Sequence, residues 1–140
     1  MLQAALAGGA SFREVSEILS GLSYQTAAAR VPPLPHSIFE LLWHVEFVQR
    51  QLLGDASGAD VDWEAQETWW PGEASEAEFA RVLRDLSVNL AHAQLLAEDP
   101  SARAQGALTD LAAHGAYHWG QVVTLRQLLA DWPPRVGEPS

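Results

Sequence analysis

A chain of 140 residues, 48% hydrophobic and 19% charged, has the size and composition of one globular domain rather than a disordered or fibrous chain. Its 18 acidic against 8 basic residues give a formal net charge of −10, with no lysine, so nucleic acid is repelled and no basic stripe offers it a face. Cysteine is absent, which removes disulfides, thiolate metal ligands and a thiol nucleophile of the chain's own, and no apolar run reaches the ~18 residues of a membrane span.

The N-terminus, MLQAALAGGASFREV, carries no basic segment ahead of its short apolar stretch, so a secretory signal is not expected and the reading is cytoplasmic. SFRE at Ser11–Glu14 has the form of a capping box, in which the serine takes an orphan helix N–H and the glutamate reaches back. It predicts a helix through EVSEILSGL, interrupted near Gly21 and resumed over YQTAAAR behind a Ser23 cap, until VPPLP stops it. SIFE at Ser37–Glu40 opens a second helix to about Leu53, closed by GDASG. Residues 54–74 read as a long irregular loop holding Trp63 and the doublet Trp69–Trp70. SEAE at Ser75–Glu78 opens a third helix to about Glu98, and after DPS the last runs from about Ala104 to Ala130. The proline-containing stretch 131–140 is expected to be a loose tail. Four principal helices predict an all-α domain over 1–140, a four-helix bundle of the kind whose facing helices carry metal sites in the core.

The histidines do not distribute evenly over these helices. At about 100° per residue, Leu111, His114, His118, Val122, Leu125 and Leu129 fall within roughly 80° of arc, so both histidines lie on the core-facing stripe. Gly115 shares that side and leaves room for close approach of a ligand or a helix. His44 lies on the second helix's stripe with Leu41, Val48 and Leu52. Glu40, one turn earlier, is placed either to orient His44 or to complete the capping box. His92 and His36 read as peripheral. An i, i+4 pair stacks two imidazoles on one helix face, and a third from a facing helix gives a three-nitrogen site with an open position. Gln121, one turn beyond His118, is placed as a neighbour of that histidine or as a substrate contact. A lone histidine on an apolar face is more often a hydrogen-bonded core residue, and three such residues without metal are the alternative.

HSIFELLWHVEFVQRQLL at 36–53 and LAAHGAYHWGQVVTLRQLL at 111–129, together with AAARVPPLPHSI and WWPGEASEAEFARVL, carry a further message. In them the chain resembles the DinB-like superfamily of bacterial metalloproteins, which includes the YfiT-like proteins. The resemblance implies an up-down four-helix bundle with a long loop between its second and third helices. It implies a divalent metal, zinc or nickel, held by His44, His114 and His118. It also implies a homodimer, a link to stress response, and a metal-dependent enzyme acting on a small molecule. Transfer of a low-molecular-weight thiol stands ahead of hydrolysis, and the thiol has to come from a cofactor because the chain has none. Tyr117 and Gln121 are candidate substrate contacts and Glu40 a candidate partner of His44. Trp69 and Trp70 are placed to cover the metal pocket or a subunit contact. A non-catalytic metal-binding protein is the competing reading, and a fourth protein ligand such as Glu40 would favour it.

Overall fold

In a computed structural model that describes residues 2–9, 13–63 and 68–133, the chain is all-helical, with no strand among the described residues. Six helices follow one another: α1 (Leu2–Ala7), α2 (Val15–Leu19), α3 (Tyr24–Ala28), α4 (Ile38–Ala56), α5 (Glu76–Leu96) and α6 (Ala102–Leu128). The last three are long, and each begins at a serine whose hydroxyl accepts an orphan backbone N–H: Ser37 from Glu40, Ser75 from Glu78 and Ser101 from Ala104. Only Ser37 completes the reciprocal box, with the Glu40 carboxylate back on the Ser37 N–H at 2.9 Å. Glu78 does not reach back. Its carboxylate accepts from Arg81 at 2.8 Å and from the Trp43 indole at 3.2 Å, which are charge-assisted and interhelical alternatives to the cap.

The expected first helix starts later than its predicted cap. Ser11 lies outside the described residues, and α2 starts at Val15 with Glu14, not a serine, in the capping position. Gly21, at φ +67°, ends that segment in a conformation suited to glycine, and Ser23 then caps α3 by accepting from the Thr26 N–H. α1 has no counterpart among the predicted elements. It lies across α5 and α6, and reciprocal amide–carbonyl bonds between Gln3 and Gln94 (2.9 and 3.1 Å) fix it to α5. Two short helices, α2 and α3, thus stand on either side of the expected interruption, and α1 precedes them.

The alternation of an up-down bundle does not hold for α4 and α5. Trp43 bonds Glu78, Glu46 bonds Arg81 and Gln49 bonds Asn89, so the pairings advance together along both helices and the two run parallel. α6 runs against α4: Asp55 pairs with Arg103, while His44 meets His114. A parallel neighbour requires a connection that returns the length of the helix, and the 57–75 segment serves that purpose.

Two apolar storeys result. One joins Ile38, Leu42 and Val45 of α4 with Phe79 and Val82 of α5 and Val122 of α6. The other joins Leu52 and Leu53 of α4 with Ala93 of α5, Leu108 and Leu111 of α6, and Leu6 of α1. Burial of such aliphatic side chains contributes about 1.5–3 kcal/mol each and is the main force holding the helices together. Two charged side chains are also fully enclosed. Glu46 accepts from Arg50 (2.6 Å), Arg81 (2.8 Å) and Asn89 (3.2 Å) in the α4–α5 seam. Arg126 donates to the Ile18 and Ser20 carbonyls, both at 2.8 Å, and pairs with Asp131, tying the end of α2 and the turn after α6 to one point. Residues 134–140 of the expected tail lie outside the described residues.

Candidate metal centre

Between the two storeys the α4 and α6 stripes change from aliphatic to imidazole. On α4, His44 falls between Leu41 and Val48; on α6, His114 and His118 fall between Leu111 and Val122. The antiparallel crossing brings the three rings together. His114 Nε2 stands 3.1 Å from His44 Nε2 and 3.1 Å from His118 Nε2. One ligand atom from each residue lies within 4.8 Å of the others, and His44 and His118 are buried. Three histidines in this arrangement can hold a metal ion.

A neutral imidazole has one N–H. The Trp69 carbonyl, 2.7 Å from His44 Nδ1, can only accept, so His44 donates there and its Nε2 presents a lone pair. Gln121 Oε1, 2.6 Å from His118 Nδ1, does the same for His118. His114 Nε2 therefore faces two lone pairs with at most one proton, so at least one of its 3.1 Å contacts has no proton to share. Its Nδ1 is buried and has no hydrogen-bond partner among the described residues. A cation shared by the three Nε2 atoms satisfies all of them at once. The donor set fits a divalent ion that accepts nitrogen ligands.

Electrostatics favour the neutral form that ligation requires. Burial lowers the pKa of His114 to about 4, with His118 and His44 adding to the effect. Burial also lowers His44, against the opposing pull of the Trp69 carbonyl, and lowers His118 against that of Gln121. At neutral pH no proton has to be expelled from the cluster before an ion enters.

The sequence-predicted neighbours divide. Gln121 sits on His118 as its spacing suggested. Tyr117 lays its ring edge-on to His118 at 5.1 Å but is 67% exposed and stays outside the cluster. Glu40 is committed elsewhere, to the Ser37 N–H and to the Arg30 guanidinium, so the place beside His44 belongs to the Trp69 carbonyl instead. The space beside Gly115 is taken within the same helix, where an added Cβ would come 3.2 Å from the Trp119 indole nitrogen.

Two contributors had no signal in the sequence. Trp69 acts through its backbone, which no residue type reveals. His36, read as peripheral, stacks on Trp70 at 3.7 Å, and the other face of Trp70 stacks on His44 at 4.0 Å. The indole is thus held between two imidazoles and covers one flank of the cluster. Trp69 itself packs edge-on against Phe47 and face-on with Trp63. His92 is exposed on α5, away from the cluster, as its helical position predicted.

Comparison of the chain with protein-family models, with curated proteins and with solved structures found no match in any of the three. No described helix is long and apolar enough to cross a membrane.

Proposed function

We propose that the chain is a divalent-metal protein of the DinB-like type, in which His44, His114 and His118 bind the ion and leave a coordination position open for a small molecule. The observation that carries this reading is the proton deficit at His114 Nε2, where two lone pairs converge on a single possible donor. Zinc and nickel both suit three imidazole nitrogens. Such an ion supplies Lewis acidity, lowering the pKa of a water or thiol placed beside it. The residues around it have separate tasks. The Trp69 carbonyl and Gln121 fix the tautomers and ring orientations of His44 and His118, and Trp70 keeps solvent from one flank.

A purely structural ion is the second reading, and it calls for closed coordination by four protein ligands. Among the described residues the cluster comprises three, and the expected fourth, Glu40, is engaged by Arg30 and its cap. That favours the open site. The resemblance in the sequence makes transfer of a low-molecular-weight thiol the first reaction to assay and hydrolysis the second, with a homodimer as the expected assembly.

The test is elemental analysis of untagged protein purified without added metal, beside His118→Ala. Near-stoichiometric zinc, nickel or another divalent ion, lost in the variant, supports the proposal. Protein that stays folded yet takes up no divalent ion on reconstitution overturns it.

A further inference from the structure

A cavity of about 410 Å3 opens between the segment preceding α4 and the C-terminal half of α6. None of the three clustered histidines lines it. Its apolar wall is made by Leu34, Leu41 and Leu125, and its polar side chains are His36, Tyr117, Gln121 and Thr124. Gln121 is the shared element, standing on the cavity wall with its Oε1 already committed to His118 Nδ1.

That commitment determines what the cavity offers. With Oε1 used, the Gln121 amide has its two Nε2–H donors left, and neither meets an acceptor among the described residues. The Tyr117 hydroxyl is likewise unpaired among them, whereas Thr124 spends its hydroxyl on the Gly120 carbonyl at 3.0 Å. The site therefore presents amide donors beside an apolar wall. No lysine or arginine lines it; Arg30, which bonds the adjacent Pro35 carbonyl, is already paired with Glu40. In a chain of net charge −10 an anionic head would meet donors but no lysine or arginine. A neutral acceptor fits better.

We propose that this cavity binds a neutral small molecule with an apolar body and a carbonyl-type acceptor (an amide, ester or ketone), the acceptor taking a hydrogen bond from Gln121 Nε2. The binding claim stands on the cavity alone. Only its connection to the metal rests on the reading above, in which Gln121 joins the ligand on one side to His118 on the other.

The probe pair is 4-phenylbutanamide and 4-phenylbutanoate, alike in shape and different in charge, titrated into the wild-type protein with binding followed by ligand-observed NMR. Gly120→Leu is the blocking variant. Gly120 lies on the cavity wall within α6, and a Cβ built there meets nothing within 4 Å, so the larger residue enters open space without straining the helix. The amide is expected to bind with a Kd of about 1 mM, at least about fivefold tighter than the carboxylate. Gly120→Leu should weaken it by about tenfold or more while melting no lower than wild type, and Gln121→Leu should erase the preference for the amide. No saturable amide binding up to about 10 mM, equal binding of the two probes, or full binding by a folded Gly120→Leu protein overturns the proposal. Each titration is run on chelator-treated and on zinc-supplemented protein, with metal measured separately. Amide binding in a protein that takes up no ion keeps the cavity and removes the metal reading; stoichiometric ion without amide binding does the reverse.

Discussion

Replacing His114 by leucine should make the metal-free protein more stable, not less. In the absence of an ion the wild-type ring has a buried Nδ1 without a partner and an Nε2 that can satisfy only one of two facing lone pairs. An unsatisfied buried polar group costs about 1–3 kcal/mol, whereas the single bond His114 makes returns about 0.5–1.5 kcal/mol. Leucine has a similar volume and extends the aliphatic run above Leu111, so the variant should gain about 1 kcal/mol, or about 2–4 °C in Tm for a domain of this size. Acid should widen the gap. The His114 pKa falls from its ordinary 6.5 to about 4 on folding, so between those values the unfolded chain binds more protons and folded stability declines as pH is lowered. The full effect of that one residue is on the order of 3 kcal/mol, present above pH 6.5 and lost by pH 4, and the leucine variant is free of it. Part of the acid sensitivity remains, because burial depresses His44 and His118 in the same direction. Denaturant unfolding of chelator-treated protein at pH 7.5 and pH 5, with and without zinc, measures all of this. A variant less stable than wild type by 1 kcal/mol or more at pH 7.5 would refute the reasoning. So would one that zinc stabilises as strongly as it does wild type.

Four further substitutions probe the supports. Gln121→Leu removes the acceptor that holds His118 Nδ1 and should weaken zinc affinity about 10- to 100-fold in chelator competition, with the fold retained by circular dichroism. Arg126→Met strips the Ile18 and Ser20 carbonyls and the Asp131 carboxylate of their shared donor; a loss of about 3 kcal/mol is expected in urea unfolding, and a loss below 1 kcal/mol contradicts the role assigned to it. Ser37→Ala should cost about 1–2 kcal/mol and exceed Ser75→Ala, because Ser37 alone sits in a completed box. Equal costs in a thermal-melt comparison would show that the returning Glu40 contact adds nothing.

What the sequence makes legible is what local periodicity encodes. The starts of α4 and α5, the break at Gly21, the Ser23 cap and the inward faces of His44, His114 and His118 all follow from spacing and capping chemistry. Ser101 gives no such signal, because its third following residue, Ala104, offers no carboxylate to complete a box. The relative direction of α4 and α5 is a different kind of fact. It is set by interhelical partners such as Glu46 with Arg81 and Trp43 with Glu78, and no helical wheel pairs residues 35 positions apart. The same applies to the candidate site. Its three rings could be placed on their faces, but the Trp69 carbonyl and the His36–Trp70–His44 stack depend on where the 57–75 segment returns. Glu40 illustrates the limit from the other side: its position permits two roles, and an arginine ten residues upstream chooses between them.

His44 and His114 are 70 residues apart, half the chain, and the stretch between them contains all of α5 with no ligand of its own among the described residues. An ion held by both closes that stretch into a ring, as a disulfide would in a chain that has no cysteine. By chain-entropy reasoning a closed loop of this size removes roughly 4 kcal/mol of freedom from the unfolded ensemble. Such a cross-link would also be reversible and selective for the folded state, because unfolding scatters the three nitrogens. Residues in α5 that never approach the ion would then exchange their amide hydrogens more slowly when it is present, since their opening is tied to its release.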